Sequence, residues 1–261
     1  MRLVIVGGGR MGEALLGGLL ASGWADPADL AVAEPVASRR DELASRYPGV
    51  SVKPSPGRAE GAVVAVKPGD VGSASRALAA TGVERVLSVA AGVTLARLEA
   101  DLPGAAVVRA MPNTPALVGA GAAAIAGGQR AVAADLDWAE SILGSVGEVV
   151  RVPEALLDAV TGLSGSGPAY VLLVVEAMTE AGVLVGLPRD VSARLTVATL
   201  LGTARLLTEG TEGPEALRAA VTSPGGTTAA GLRVLEAAGV RSAFLEAVAA
   251  ATERSRQLGA G

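Results

Sequence analysis

Residues 3–6 read Leu-Val-Ile-Val, and the chain runs from them directly into Gly7-Gly8-Gly9-Arg10-Met11-Gly12 and the helix-favouring Glu13-Ala14-Leu15-Leu16. An apolar run, Gly-x-Gly-x-x-Gly and a helix start, in that order, turn a common glycine pattern into a dinucleotide-binding fingerprint. Each glycine has its own task. Gly7 permits a sharp turn, Gly9 lets the backbone approach a pyrophosphate, and Gly12 lets the helix pack closely on the strand. Arg10 and Met11 open that helix, whose free N–H groups and positive dipole end suit phosphates. The plain alternative, a glycine-rich turn of an unrelated α/β chain, explains the glycines but not their flanks.

The rest of the N-terminal half repeats the pattern. Strands are expected at 29–33, 50–52, 61–66, 85–89, 105–109, 122–126 and 148–152, with helices at 11–22, 38–47, 70–80, 94–101 and 131–143. The run Gly61-Ala62-Val63-Val64-Ala65-Val66 is apolar throughout, as a parallel strand buried on both faces requires. Such alternation predicts an α/β domain with a doubly wound sheet. Beyond Pro153 only helical segments remain, several opening at a proline whose missing N–H costs nothing in a first turn. The expected division is 1–152 for the dinucleotide-binding domain and 153–261 for an all-helical one.

Composition removes whole classes of chemistry. The 261 residues include no cysteine and no histidine, which excludes disulfides, thiol nucleophiles, Ser-His-Asp hydrolysis and His-rich metal sites; no metal is expected. A net charge of −4 gives nucleic acid and anionic membrane no electrostatic purchase. With 50% hydrophobic but only 2% aromatic residues, the core must be built of Ala, Val and Leu, and a surface so poor in charge hints at buried subunit contacts. The uncharged stretches 110–129 and 159–175 are broken by Pro, Gly, Asn and Ser, and are expected to be buried loops and strands rather than membrane spans. A strand beginning at residue 3 leaves no room for a signal peptide, so a cytoplasmic protein is expected.

Ligands of such sheets lie beyond the carboxyl ends of the strands. Glu34 ends the second strand at the distance where an acid receives ribose hydroxyls, which favours NADH over NADPH; Arg39 and Arg40 follow and could offset it. Ala65-Val66-Lys67-Pro68, Ala91-Gly92 and Asn113 follow later strands and are further cofactor candidates. Lys67, one of two lysines against 20 arginines, offers a compact ammonium to a phosphate or to the carboxamide side of the cofactor, or is merely a surface lysine. Asn113 between Pro112 and Thr114-Pro115 can bond a nucleotide or simply stabilise a turn. The loop Gly162-Leu163-Ser164-Gly165-Ser166-Gly167-Pro168 reads as flexible. Ser223-Pro224-Gly225-Gly226-Thr227-Thr228 brings three hydroxyls and exposed N–H groups to a helix start. It is a ready cradle for a small carboxylate, or a glycine-rich helix cap.

These runs together, with Met111-Pro112-Asn113-Thr114-Pro115, Ala169-Tyr170, Val221-Thr222 and Gly231, resemble pyrroline-5-carboxylate reductase over nearly the whole chain. The resemblance implies a Rossmann-type domain followed by a helical dimerisation domain. It also implies reduction of 1-pyrroline-5-carboxylate to L-proline by NADPH or NADH, and a homodimer that often assembles into a decamer of five dimers. By position, Ser223, Gly225, Gly226, Thr227 and Thr228 would hold the substrate carboxylate. Thr228 would also approach the ring nitrogen, and Lys67 joins it as a candidate for the reaction centre. A protonated imine is already electrophilic, so the reaction needs alignment more than a strong acid or base, and the missing histidine is no obstacle.

Two rival readings compete with this one. A β-hydroxyacid dehydrogenase would carry a lysine on the helix after the Gly162–Pro168 loop, and residues 169–175 carry none. A nucleotide sensor would bind cofactor without turnover, and the carboxylate cradle argues against it.

Overall fold

The structure is a computed structural model and describes residues 1–259. Its sheet is made of β1 (Leu3–Val6), β2 (Leu30–Ala33), β3 (Ser51–Lys53), β4 (Gly61–Val64), β5 (Arg85–Ser88), β6 (Ala106–Met111), β7 (Gly121–Gly127) and β8 (Gly147–Arg151), in the spatial order 3-2-1-4-5-6-7-8. Strands β1 to β6 are mutually parallel. β7 turns back antiparallel to β6, and β8 runs parallel to β7.

The helices between them are α1 (Arg10–Ala21), α2 (Ala37–Arg46), α3 (Val71–Ala79), α4 (Leu95–Asp101) and α5 (Ala133–Leu143). They cover both faces, so the short central strands can be apolar at every position. Leu3 and Ile5 of β1 join Leu15, Leu16 and Leu19 of α1 and Leu43 of α2 in one core. Val4 and Val6 face the other way, into a second core with Leu78 of α3 and Leu98 of α4. Burial on that scale contributes on the order of 1.5–3 kcal/mol per large side chain.

After β8 the described residues contain no further strand. A 3-10 turn (Glu154–Leu156), α6 (Leu157–Val160) and a π-helical turn (Thr161–Gly165) lead into α7 (Gly167–Leu184), followed by α8 (Arg189–Glu209), α9 (Pro214–Ala220), α10 (Thr227–Ala237) and α11 (Val240–Gly259). The expected flexible loop at 162–168 is therefore helical. The Ser166 N–H bonds to the Thr161 carbonyl five residues back, at 2.9 Å.

Two compact units emerge: residues 1–166 with 249–261, and residues 167–248. The boundary near 153 marks where strands stop. The first unit runs on because Leu157 of α6 is buried in the second core and the Ser255 hydroxyl of α11 bonds to Asp158 at 2.6 Å.

The second unit lacks an apolar interior. Its buried residues are Thr179, Ser192 and Thr196, three hydroxyl side chains, and the Ser192 Oγ donates to the Thr179 carbonyl at 2.8 Å where α7 and α8 pack. Leu172, Leu173 and Leu184 are exposed, Leu184 at 86%. The segment 154–184 is long and apolar enough to cross a membrane by length and composition, and little of it is buried within the chain. This corrects the expectation of buried loops and strands at 159–175: the stretch is helix, and its apolar face is uncovered.

Candidate active site

The chain leaves β1 for β2 and β3 on one side and returns to β4 on the other, so the sheet's topological switch point lies between β1 and β4. The glycine-rich loop sits there. Gly7 has φ +106°, and a Cβ on it would lie 2.6 Å from the Ala65 carbonyl oxygen. A Cβ on Gly12 would run into the Gly7 carbonyl, so only glycine lets α1 approach this closely. Around Gly9 the space is open, with no atom within 4 Å of a Cβ built there. Gly9 is also the N-cap of α1, and no side chain caps that helix. Its first N–H groups, at Arg10 and Met11, thus have neither intrahelical nor side-chain acceptors. Arg10 is exposed. This is the cradle a pyrophosphate needs.

Behind the loop is a charged lattice that the glycine pattern does not announce. Glu34 is 8% exposed. Its Oε2 accepts the Gly8 N–H and its Oε1 the Val36 N–H, each at 2.9 Å. Each carboxylate oxygen is thus engaged by one backbone donor, a tie to the loop that the sequence does not announce. Arg39 donates from Nε to the Gly8 carbonyl at 2.8 Å and also pairs with Glu13 and, at 2.9 Å, with Glu42. Glu13, in the first turn of α1, receives Arg46 as well. Burial disfavours its charge, but the bonds from Arg39 and Arg46 outweigh it and hold the carboxyl below its ordinary value of 4.5.

Along the same edge, Ala65 follows β4 and its N–H still bonds to the Val6 carbonyl at 2.8 Å. Val66 packs against the second core. Lys67 and Pro68 are exposed, and the Lys67 ammonium has no acidic partner among the described residues. Ala91 and Gly92 turn after β5. A cavity of about 380 Å³ opens beside Pro68, Ala91 and Gly92, completed by Thr161, Ser166 and Arg254. Ser166 belongs to the loop that the sequence singled out, whereas Thr161 and Arg254 escaped it because nothing local marks them; the fold of α11 onto the first unit brings Arg254 there. The turn is anchored from below. Arg109 of β6, 7% exposed, bonds Glu154 at 2.8 Å, and the same Glu154 oxygen accepts the Leu95 N–H at 2.7 Å.

Asn113 takes its plainer role. Its Oδ1 accepts the Ala122 N–H at 2.8 Å and its Nδ2 donates to the Ser164 carbonyl at 3.0 Å, so the carboxamide ties the β6–β7 connection to the π-helical turn. This bridge uses one of the two Nδ2 hydrogens and leaves the other for a ligand.

Within the second unit, Gly226 is the N-cap of α10 and no side chain caps it. Gly225 has φ +69°, and the Gly226 N–H closes the turn onto the Ser223 carbonyl at 3.0 Å. Ser223, Thr227 and Thr228 are exposed, and their hydroxyls make no hydrogen bond among the described residues. A glycine does cap the helix, as the plain alternative has it, but none of the hydroxyls joins the cap. The loop stays open, with N–H groups and three hydroxyls to offer an anion.

Comparison with known proteins agrees with this geometry. Residues 154–258 match the family model described as pyrroline-5-carboxylate reductase dimerisation, and residues 2–92 match one described as NADP oxidoreductase coenzyme F420-dependent. A pyrroline-5-carboxylate reductase of Synechocystis sp. is 48% identical over 99% of this chain and 98% of its own, and one of Mycobacterium tuberculosis is 46% identical over 98% and 96%. Among solved structures, the pyrroline-5-carboxylate reductase of Coxiella burnetii superposes with a TM-score of 0.93 at 35% identity, covering 98% of each chain. The Plasmodium falciparum pyrroline carboxylate reductase, solved with NADP bound, gives 0.86 at 29% over 99% of this chain and 98% of its own. By its sequence, over nearly its whole length, and by its fold, the chain belongs to the pyrroline-5-carboxylate reductase family.

Proposed function

We propose that this protein reduces 1-pyrroline-5-carboxylate to L-proline with hydride from NADPH or NADH, the last step of proline synthesis. Its carrying observation is the open, uncapped glycine-rich loop at the sheet's switch point, in a chain of this family. The pyrophosphate lies over Gly7, Gly9 and Gly12 on the N–H groups of Arg10 and Met11. The cofactor continues along Ala65-Val66-Lys67-Pro68 and Ala91-Gly92, where the 380 Å³ cavity accepts its nicotinamide end. When bound, the cofactor would supply a hydride, one proton with two electrons, to the carbon of the protonated imine. Asn113 acts there by holding the π-helical turn, and Lys67 by placing an unpaired cation at the edge.

The substrate carboxylate is held by Ser223, Thr227 and Thr228 and by the N–H groups around Gly225 and Gly226, with the Thr228 hydroxyl toward the ring nitrogen. Two features support this reading: the uncapped start of α10 and the three unbonded hydroxyls. The work of these residues is alignment and charge neutralisation, since the protonated imine needs no further activation.

The working unit is a homodimer, from which a decamer of five dimers can be built. The second unit supports the dimer. It buries no apolar side chain of its own, and it presents a groove of about 480 Å³ lined by Tyr170, Leu173, Val174, Met178, Leu235 and Phe244. A second copy covers that face, not lipid, and the protein acts in the cytoplasm. The reading is tested by following cofactor oxidation with 1-pyrroline-5-carboxylate. Substrate-dependent oxidation of NADPH or NADH with proline as product is expected, and failure with both cofactors would overturn it.

A further inference from the structure

We propose that Arg40 reads the 2′-phosphate of the cofactor and that Glu34 is a strut of the glycine-rich loop, so that the protein favours NADPH over NADH. The inference rests on the dinucleotide reading of that loop and adds a preference that the sequence pattern states the other way round.

In folds of this kind the ribose chemistry is set just beyond β2, where an acid receives the 2′-hydroxyl of NADH or a nearby arginine accommodates the 2′-phosphate of NADPH. An acid discriminates only if its charge faces the ribose. Glu34 does not meet that condition. It is almost buried, and each oxygen holds a backbone N–H, one from Gly8 inside the loop and one from Val36 at the entrance to α2. Its charge is met by those donors, and its geometric effect is to fix Gly8 against the end of β2.

The two arginines that follow are not equivalent. Arg39 is committed to the Gly8 carbonyl, Glu13 and Glu42, which leaves it little charge to offer. Arg40 has no acidic partner among the described residues. Both of its bonds leave from Nη1, to the carbonyls of Glu34 at 2.9 Å and Pro35 at 2.8 Å. Those carbonyls hold the guanidinium at the carboxyl end of β2 without cancelling its charge, and leave Nε and Nη2 for a ligand. A planar donor pair of that kind suits a phosphate monoester. Ser38, the second residue of the uncapped α2, is exposed and adds a hydroxyl donor to the first turn of that helix.

The test separates the 2′-phosphate from the rest of the cofactor by calorimetric titration with 2′,5′-ADP and with 5′-AMP. The wild-type protein should bind 2′,5′-ADP at least about tenfold more tightly. Arg40→Ala should lose about ten- to a hundredfold in 2′,5′-ADP affinity, as expected for lost bonds to a charged group, and keep 5′-AMP affinity within about twofold. Arg40→Lys should recover part of the preference through its charge, and guards against a folding defect in the alanine variant. Glu34→Gln should weaken both ligands together and leave their ratio unchanged. The proposal is overturned if wild type binds 5′-AMP as tightly as 2′,5′-ADP, if Arg40→Ala weakens both equally, or if Glu34→Gln selectively strengthens 2′,5′-ADP. A protein that binds 2′,5′-ADP as described yet oxidises neither cofactor with 1-pyrroline-5-carboxylate would contradict the proposed reaction and uphold the role of Arg40.

Discussion

Thr228 occupies the second position of α10 with its hydroxyl exposed, in a helix that no side chain caps. Removing that hydroxyl therefore takes no hydrogen bond from the folded chain, but on the proposed reading it takes a donor from the substrate. Thr228→Ala should lower kcat/KM about ten- to a hundredfold, since a bond to a charged group contributes about 1.5–3 kcal/mol. Its melting temperature should match the wild type. Near-normal kinetics with a lowered melting temperature would make Thr228 a structural residue. At this scale the sequence was informative about position and blind to orientation. The spacing from Gly12 placed Glu34 at the end of β2, but nothing in the letters says that its carboxylate turns inward to Gly8 and Val36. Asn113 was ambiguous for the same reason: a carboxamide between two prolines serves a ligand or a turn equally well. Its partners Ala122 and Ser164 lie 9 and 51 residues away.

Strands and helices were far more legible, because both cores demand apolar residues at every position of the central strands. The π-helical turn at Thr161–Gly165 was not. Ser and Gly suggest a loop, and the helical geometry comes from tertiary contacts, Asn113 on the Ser164 carbonyl and Met111 packed against Gly165. Also unannounced was the joint between α1 and α2, where Glu13 receives both Arg39 and Arg46. Folding lowers the Glu13 pKa, so the unfolded chain takes up its proton first as pH falls. The joint's contribution is complete above the ordinary value of 4.5 and is lost on acidification through the lower folded value. Glu13→Gln should consequently lower the melting temperature at neutral pH and flatten its decline below about pH 4.5. An unchanged acid profile would mean that Arg39 and Arg46 do not stabilise the Glu13 carboxylate in solution.

As a whole molecule the chain covers its apolar side chains unevenly. One unit has two apolar cores, and the other buries only hydroxyl side chains. A dimer that covers the second unit should bury on the order of 2,000 Å² or more, typical of obligate association. Sedimentation at micromolar concentration should show a dimer or a larger assembly, and Leu173→Glu, in the middle of the apolar groove, should break it and lower the melting temperature. A wild-type monomer with full activity would refute the homodimer. Composition hints at buried subunit contacts, and the exposed leucines of α7 mark the face for which they are proposed. The proposed reaction transfers hydride to the imine carbon of 1-pyrroline-5-carboxylate. Its most direct test is reduction with NADPH deuterated at both nicotinamide C4 positions, followed by mass spectrometry and NMR of the product. The expected product is L-proline carrying one deuterium on the ring carbon bonded to nitrogen and remote from the carboxylate. Unlabelled proline, or oxidised cofactor without proline, would contradict it.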